Sequence, residues 1–434
     1  MIRPVRVAPP PAGLTGGLDL PGDKSIAHRA LLLGALAEGT TVLSGVPGGA
    51  DVRATLAAVQ TLGAQVSEQD GALRIHGQGP DLGVKDRVAI DCANSGTTMR
   101  LVAGLAAGGA GMVVLDGDAS LRRRPMERVA EPLRAMHAII ETTAGHAPMT
   151  VRGGTLVAID WHSPVASAQV KSAILLAGLR ARGTTTVREP LPSRDHTERL
   201  LAHLGAQIER RAGAVTLAGG QRLRGASVSL PGDVSSAAFL VVAGLLVPGS
   251  AIRLRDVGIN PTRTGFLAIL RRMGAVVDVI DAHDAAGEPR GELRVTAAAL
   301  HGTTIAPEEV PAAIDELPVL AVAAALAEGE TVLRGASELR VKESDRIAAL
   351  EQLCPLGVSM RTTSDGFVIQ GTAGRRLRGG RIDARGDHRV AMAFAVAGLV
   401  ADGGVEIRDP ECVDVSFPGF FARLAELGAQ VEPR

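Results

Sequence analysis

Apolar positions in this chain come in short runs of small residues, each led by a polar cluster and closed by glycine. One run follows Leu20-Pro21-Gly22-Asp23-Lys24-Ser25 and continues through Ala30-Leu31-Leu32-Leu33-Gly34-Ala35-Leu36 to Gly39. It predicts a strand end, a tight turn and then a helix, with Asp23 as N-cap and Gly39 as C-cap. The β-branched Thr40-Thr41-Val42 that follows predicts a strand. A second helix then ends at Leu62-Gly63-Ala64, ahead of another strand.

The pattern recurs six times. Later copies begin at Asn94-Ser95-Gly96-Thr97, Ser167-Ala168-Gln169, Ser235-Ser236, Asp315-Glu316-Leu317 and Asp387-His388-Arg389. Gly63, Gly205, Gly274, Gly357 and Gly428 close the second helices, and copy two ends near Met136-His137-Ala138. The period, roughly 70 residues, is too long for a solenoid and fits packed α/β modules. Leu20-Pro21-Gly22-Asp23 returns as Leu230-Pro231-Gly232-Asp233, ahead of copies one and four. Two domains of three copies are therefore expected. One spans 21–229, and the other spans 1–20 plus 230–434. A hinge is expected near 20–22 and 229–232.

Composition narrows the function. Formal net charge is zero, so no global field draws nucleic acid or an anionic membrane. Seven Phe, one Trp and no Tyr argue against a base-stacking platform for single-stranded nucleic acid. Cys92, Cys354 and Cys412 form no close pair and have no His at metal-ligand spacing, which argues against a disulfide framework or a zinc site. The expectation is a cytoplasmic protein with no membrane span, no metal and no cofactor. Only four Lys occur, at 24, 85, 171 and 342, against 42 Arg. Such Lys are candidates for work that Arg cannot do, above all moving a proton.

Chemistry gathers at the helix starts. Ser25 and Arg29 share one face of a first turn beside Lys24, which suits an oxyanion. Further polar groups stand at Ser95-Gly96-Thr97 and Arg100, at Ser167 and Gln169, at Asp315-Glu316, and at Asp387-His388-Arg389. Between them lie Arg122-Arg123-Arg124-Pro125, Ser193-Arg194-Asp195-His196 and Lys342-Glu343-Ser344-Asp345-Arg346. Lys342 and Arg346 are four apart, so a helix here would put both cations on one face. Asp387 is expected to cap its helix and orient Arg389. His28 and His196 read as local hydrogen-bonding residues, and Lys171 as the partner of a carboxylate. Many cations around few carboxylates suggest a cleft for two small anions, with Asp315 and Glu343 as acid/base candidates.

Gly22-Asp23-Lys24-Ser25-Ile26-Ala27-His28-Arg29, Asn94-Ser95-Gly96-Thr97, Gly117-Asp118-Ala119-Ser120-Leu121 with Arg124-Pro125-Met126, Arg340 to Arg346 and Asp387-His388-Arg389 resemble the EPSP synthases (3-phosphoshikimate 1-carboxyvinyltransferases) across essentially the whole chain. The resemblance implies a two-domain inside-out α/β barrel, each domain being three βαβαββ repeats. It implies transfer of the enolpyruvyl group of phosphoenolpyruvate to the 5-hydroxyl of shikimate 3-phosphate; a monomer is expected separately. Lys24, Ser25, Arg29, Ser167, Ala168, Gln169, Arg194, Asp315 and Lys342 would hold shikimate 3-phosphate. Lys24, Gly96, Arg124, Gln169, Arg346 and Arg389 would hold phosphoenolpyruvate. Asp315 would take the hydroxyl proton, and Glu343 or Lys24 would protonate the methylene. Gly96 would leave room for the inhibitor glyphosate.

Two departures qualify the resemblance. Ala168 stands where many members have a second Ser, and Val415 stands near the point where many have a Lys before Phe417-Pro418. The nearest alternatives are the UDP-N-acetylglucosamine enolpyruvyl transferases, RNA 3′-phosphate cyclase and a non-catalytic anion binder. The first usually carries a Cys acid in a stretch that has none here (111–124), and the second is disfavoured by zero net charge and few aromatics. Asp315 and Glu343 among the cations count against the third.

Overall fold

A computed structural model describes residues 4–211 and 213–433. The chain divides into two compact units. One comprises residues 22–231 with 284–288; the other comprises the residues up to 21, 232–283 and those from 289 on. Residues 284–288 thus group apart from their chain neighbours.

Among the described residues, six helices buried along nearly their whole length carry the cores. The 22–231 unit has α1 (Lys24–Leu36), α2 (Gly96–Ala107) and α3 (Ala168–Gly178). The other has α4 (Val234–Leu246), α5 (Leu317–Leu326) and α6 (His388–Gly398). Every residue of α1 from Ser25 to Leu36 is buried. A helix apolar on all sides must be covered on all sides. Small residues let the helices touch: a Cβ on Gly104 of α2 would fall 2.2 Å from the Ala173 carbonyl oxygen of α3.

The cover is six four-stranded sheets, three per unit, each containing one parallel pair. Burial alternates along strands such as Thr184–Arg188, so one sheet face meets the helices and one meets water. Segment ends complete the sheets of their own unit. Ser227–Ser229 pairs in parallel with Val42–Ser44. At the start of the chain, Thr15–Asp19 pairs with Ala251–Arg255, and Val5–Ala8 lies between Ala401–Arg408 and Gln430–Pro433.

The five expected cap glycines all adopt positive φ, between 93° and 104°. In copy two His137 takes that place at φ 72°, which a Gly-based pattern does not reveal. The first helix differs from expectation. It stops at Leu36, its C-cap is Ala37, and Gly39 lies in the strand Glu38–Ser44. The backbone needs Gly39 for its φ of 86° inside that strand, not to end the helix.

Within each unit the helices run parallel. Leu246, Leu326 and Leu399, at the C-terminal ends of α4–α6, line one cavity of about 370 Å³ with Pro9–Gly13. The N-terminal ends meet at the opposite pole, where the polar residues are. Three helix N-termini converging on one spot favour negative charge there.

Candidate active site

In the 22–231 unit the site grows from helix caps. Asp23 Oδ1 accepts from the backbone N–H of Ser25 and Ile26, at 2.7 and 3.1 Å, and so starts α1 at Lys24. Lys24 Nζ lies 2.9 Å from Asp51. One turn on, buried Arg29 donates to the Ser25 carbonyl, to Ser172 Oγ and to Thr197 Oγ1, at 2.8, 3.0 and 2.8 Å. Arg194 Nη1 reaches Ser25 Oγ at 3.4 Å.

The other two helices join this net. Ser167 Oγ caps α3, placing Ala168 and Gln169 in its first turn. Gln169 accepts from Arg100 at 2.5 Å and donates to Thr97 Oγ1 at 2.9 Å. Gly96 is the first residue of α2, capped by Ser95. Arg124 is buried and donates to Asn94 at 2.5 Å, whereas Arg122 is half exposed and pairs with Asp116. All the residues of this unit expected to bind substrate therefore stand at the N-terminal pole or in loops bonded to it.

The second unit builds a denser charge cluster. Asp315 directly precedes the turn into α5, and its carboxylate faces three guanidiniums: Arg346 at 3.5 Å, Arg389 at 3.6 Å and Arg263 at 3.8 Å. Arg389 also donates to the Asp315 carbonyl at 2.9 Å and to Ser235 Oγ at 2.6 Å. Ser235, at the start of α4, donates to buried Glu316. Arg346 is fully buried and bonds Asp387 at 2.9 Å and Glu343 at 2.5 Å.

Two expectations change here, and a third, Val415 in place of a Lys, is located. Lys342 and Arg346 do not share a helix face. Asp345 caps a helix that begins only at Arg346, accepting from Ala348 N–H at 3.0 Å, and Lys342 is extended after the turn Ser337–Val341. Asp387 caps α6, accepting from the Arg389 backbone N–H at 3.0 Å, but its carboxylate holds the guanidinium of Arg346, not that of Arg389. Val415 lies half-buried at the end of the turn Pro410–Val415, so an apolar side chain occupies the point where the resemblance expects a Lys.

Charge follows from these neighbours. Burial lowers the pKa of half-buried Lys342; Arg346 adds to the effect, and Asp315, Glu343 and Glu338 oppose it. Lys342 is thereby a better proton donor than an exposed Lys. For Arg346 burial is outweighed by Asp387, Glu343 and Asp315, which raise its pKa.

Sequence reasoning missed Arg263 altogether. It follows the turn Asn260-Pro261-Thr262 and directly precedes Thr264, the N-cap of the helix Gly265–Arg272, a second-helix start of the repeat at which no cationic cluster was singled out. Arg100 could have been weighted more heavily, because it follows Gly96 by one turn, as Arg29 follows Ser25.

The two histidines are structural. His196 Nδ1 lies 2.7 Å from Glu288, both buried. His28 Nδ1 lies 2.6 Å from Thr55 Oγ1, which meets Thr98 Oγ1 at 2.7 Å. Burial, aided by Lys24 and Arg29 and opposed by Asp51 and Asp23, pushes the His28 pKa down to about 3. In the unfolded chain His28 titrates near 6.5. Its stabilising effect is therefore complete above that pH and is lost as pH falls towards 3. In His28→Gln, the loss of unfolding free energy between pH 7 and pH 4.5 should be about 2 kcal/mol smaller than in the parent protein. Urea titrations at the two pH values measure it; an unchanged difference would refute the buried neutral imidazole.

With this geometry established, comparison with known proteins is decisive. A family model described as EPSP synthase (3-phosphoshikimate 1-carboxyvinyltransferase) matches residues 9–424. The chain belongs to the EPSP synthase family. It is 54% identical over 431 residues to the 3-phosphoshikimate 1-carboxyvinyltransferase of Halorhodospira halophila, covering 98% of this chain and 96% of that protein. The Methylococcus capsulatus protein of the same name is 50% identical, with 99% and 98% covered. Among solved structures, an EPSP synthase from Acinetobacter baumannii superposes with a TM-score of 0.88 at 42% identity, covering all of both chains. The chain therefore shares its α/β fold with that solved EPSP synthase. No helix among the described residues is long and apolar enough to cross a membrane.

Proposed function

We propose that this chain transfers the enolpyruvyl group of phosphoenolpyruvate to the 5-hydroxyl of shikimate 3-phosphate, releasing phosphate. The observation that carries the reading is Asp315, a single carboxylate faced by Arg263, Arg346 and Arg389 at 3.5–3.8 Å. Cations at that range favour an ionised carboxylate and leave it able to accept a proton.

In this reading Ser25, Arg29, Ser167, Ala168, Gln169, Arg194 and Lys342 hold shikimate 3-phosphate. Lys24, Gly96, Arg124, Gln169, Arg346 and Arg389 hold phosphoenolpyruvate. Asp315 removes the 5-hydroxyl proton as the oxygen attacks C2 of phosphoenolpyruvate. Glu343 or Lys24 delivers a proton to C3, which becomes a methyl group. The tetrahedral ketal then loses a proton from that methyl and expels phosphate, restoring the double bond. Fixed cations around the developing charge supply most of the stabilisation. One chain carries every residue named, so a monomer suffices.

Phosphate release from phosphoenolpyruvate tests the proposal. It should require shikimate 3-phosphate, and UDP-N-acetylglucosamine should not replace it. Release that depends on the nucleotide sugar would refute it.

Gly96 gives a second test. A Cβ there would lie 3.0 Å from Arg100 Nη1 and 3.2 Å from Arg124 Nη1. Both are ends of long side chains, so Gly96→Ala should fold normally but displace the guanidiniums. We expect glyphosate to inhibit the parent enzyme and to inhibit Gly96→Ala at least ~10-fold less, a loss of roughly 1.4 kcal/mol. Equal inhibition of both proteins would refute the role given to Gly96.

A further inference from the structure

Lys171 is outside the substrate set above, yet it is buried at a junction of that set. Its Nζ lies 2.8 Å from Glu189 Oε2, 2.9 Å from Glu198 Oε1 and 3.3 Å from the Ser193 carbonyl. Glu189 uses both oxygens. Oε1 accepts from the Ser167 backbone N–H at 3.0 Å, and Oε2 accepts from Ser193 Oγ at 2.8 Å. Glu198 lies in the helix His196–His203 and is also buried. Burial works against the Lys171 charge, but Glu198 and Glu189 outweigh it and raise the pKa, so the ammonium persists.

Stability alone does not call for this triad. Buried ion clusters are often no more stabilising than apolar side chains of equal volume. What the triad provides is geometry. It joins the start of α3 at Ser167, the loop carrying Ser193 and Arg194, and the helix whose Thr197 meets Arg29.

We propose that Lys171, with Glu189 and Glu198, is a positioning residue for shikimate 3-phosphate, holding Ser167 and the Ser193–Arg194 loop against that ligand's oxyanion. The inference rests on the function proposed above. Ser167 and Arg194 are assigned to shikimate 3-phosphate and not to phosphoenolpyruvate, so the defect on breaking the triad is selective for one substrate.

Lys171→Met tests it, with Lys171→Met/Glu198→Gln as a companion that removes one uncompensated buried charge. In folded Lys171→Met, KM for shikimate 3-phosphate should rise ~10-fold or more, because small misplacements of binding groups are costly. KM for phosphoenolpyruvate and kcat at saturation should stay within about threefold, because a rise in one KM with kcat kept is the signature of lost ground-state binding. The companion should regain thermal stability while keeping the raised KM, and Lys171→Arg should recover part of the binding. An unchanged KM in the folded variants overturns the inference. So does a parallel loss of all parameters that tracks the folded fraction. If the parent protein shows no release of phosphate dependent on shikimate 3-phosphate, the proposed function itself falls, and this inference with it.

Discussion

Asp315→Asn should lower kcat by about 10³-fold, within the range of roughly 10²–10⁴ expected for loss of a general base. Dissociation constants for shikimate 3-phosphate should change by no more than a few-fold. The substitution is nearly isosteric, so it keeps the space between Arg263, Arg346 and Arg389 filled. The backbone carbonyl of Asp315 would still accept from Arg389, because that 2.9 Å bond does not involve the side chain. Asp315→Ala should lose turnover as well, but it also empties that space, which makes it the less informative variant. Rapid-quench turnover and equilibrium binding on the same preparation separate the two quantities. Turnover equal to the parent's would remove Asp315 from the proton transfer.

The largest effect on stability is expected for Arg346→Met. Arg346 is the partner of fully buried Asp387 and of Glu343, at 2.9 and 2.5 Å. Removing one member of a buried pair leaves the other charge uncompensated, at a cost of about 3–5 kcal/mol. For a unit of this size that is a fall in Tm of roughly 6–20 °C. Adding Asp387→Asn should recover part of it, because the orphaned charge is then gone. Turnover should be abolished in both variants if Arg346 holds phosphoenolpyruvate. A Tm within about 2 °C of the parent's, less than 1 kcal/mol at this size, would show that Asp387 finds another partner. Calorimetry measures the stability arm, and the phosphate-release assay measures the catalytic arm.

Arg346 also shows how a site can be visible before its geometry is. Its presence in the Lys342–Arg346 cluster was legible, because charge at a recurring chain position is a one-dimensional property. Its partner was not. Asp387 is 41 residues away, and which guanidinium it meets depends on how α6 packs beside the helix begun by Asp345. The helix-face argument for Lys342 failed for a local reason. Asp345 is a strong N-cap, and a helix cannot continue backwards through its own cap.

The sequence by itself determined the repeated helix-strand pattern, the apolar helices, the polar residues at their N-termini and the positive-φ glycines that close the second helices. Each of these follows from interactions within a few residues, where side-chain type and spacing dictate the backbone. Only the tertiary structure decided that Arg263 joins the Asp315 cluster, that Arg29 is tied to Ser172 and Thr197, and that Lys171 links Glu189 to Glu198. Those bonds join segments tens to well over a hundred residues apart, and only the packing of separate helices and sheets brings them within hydrogen-bond distance.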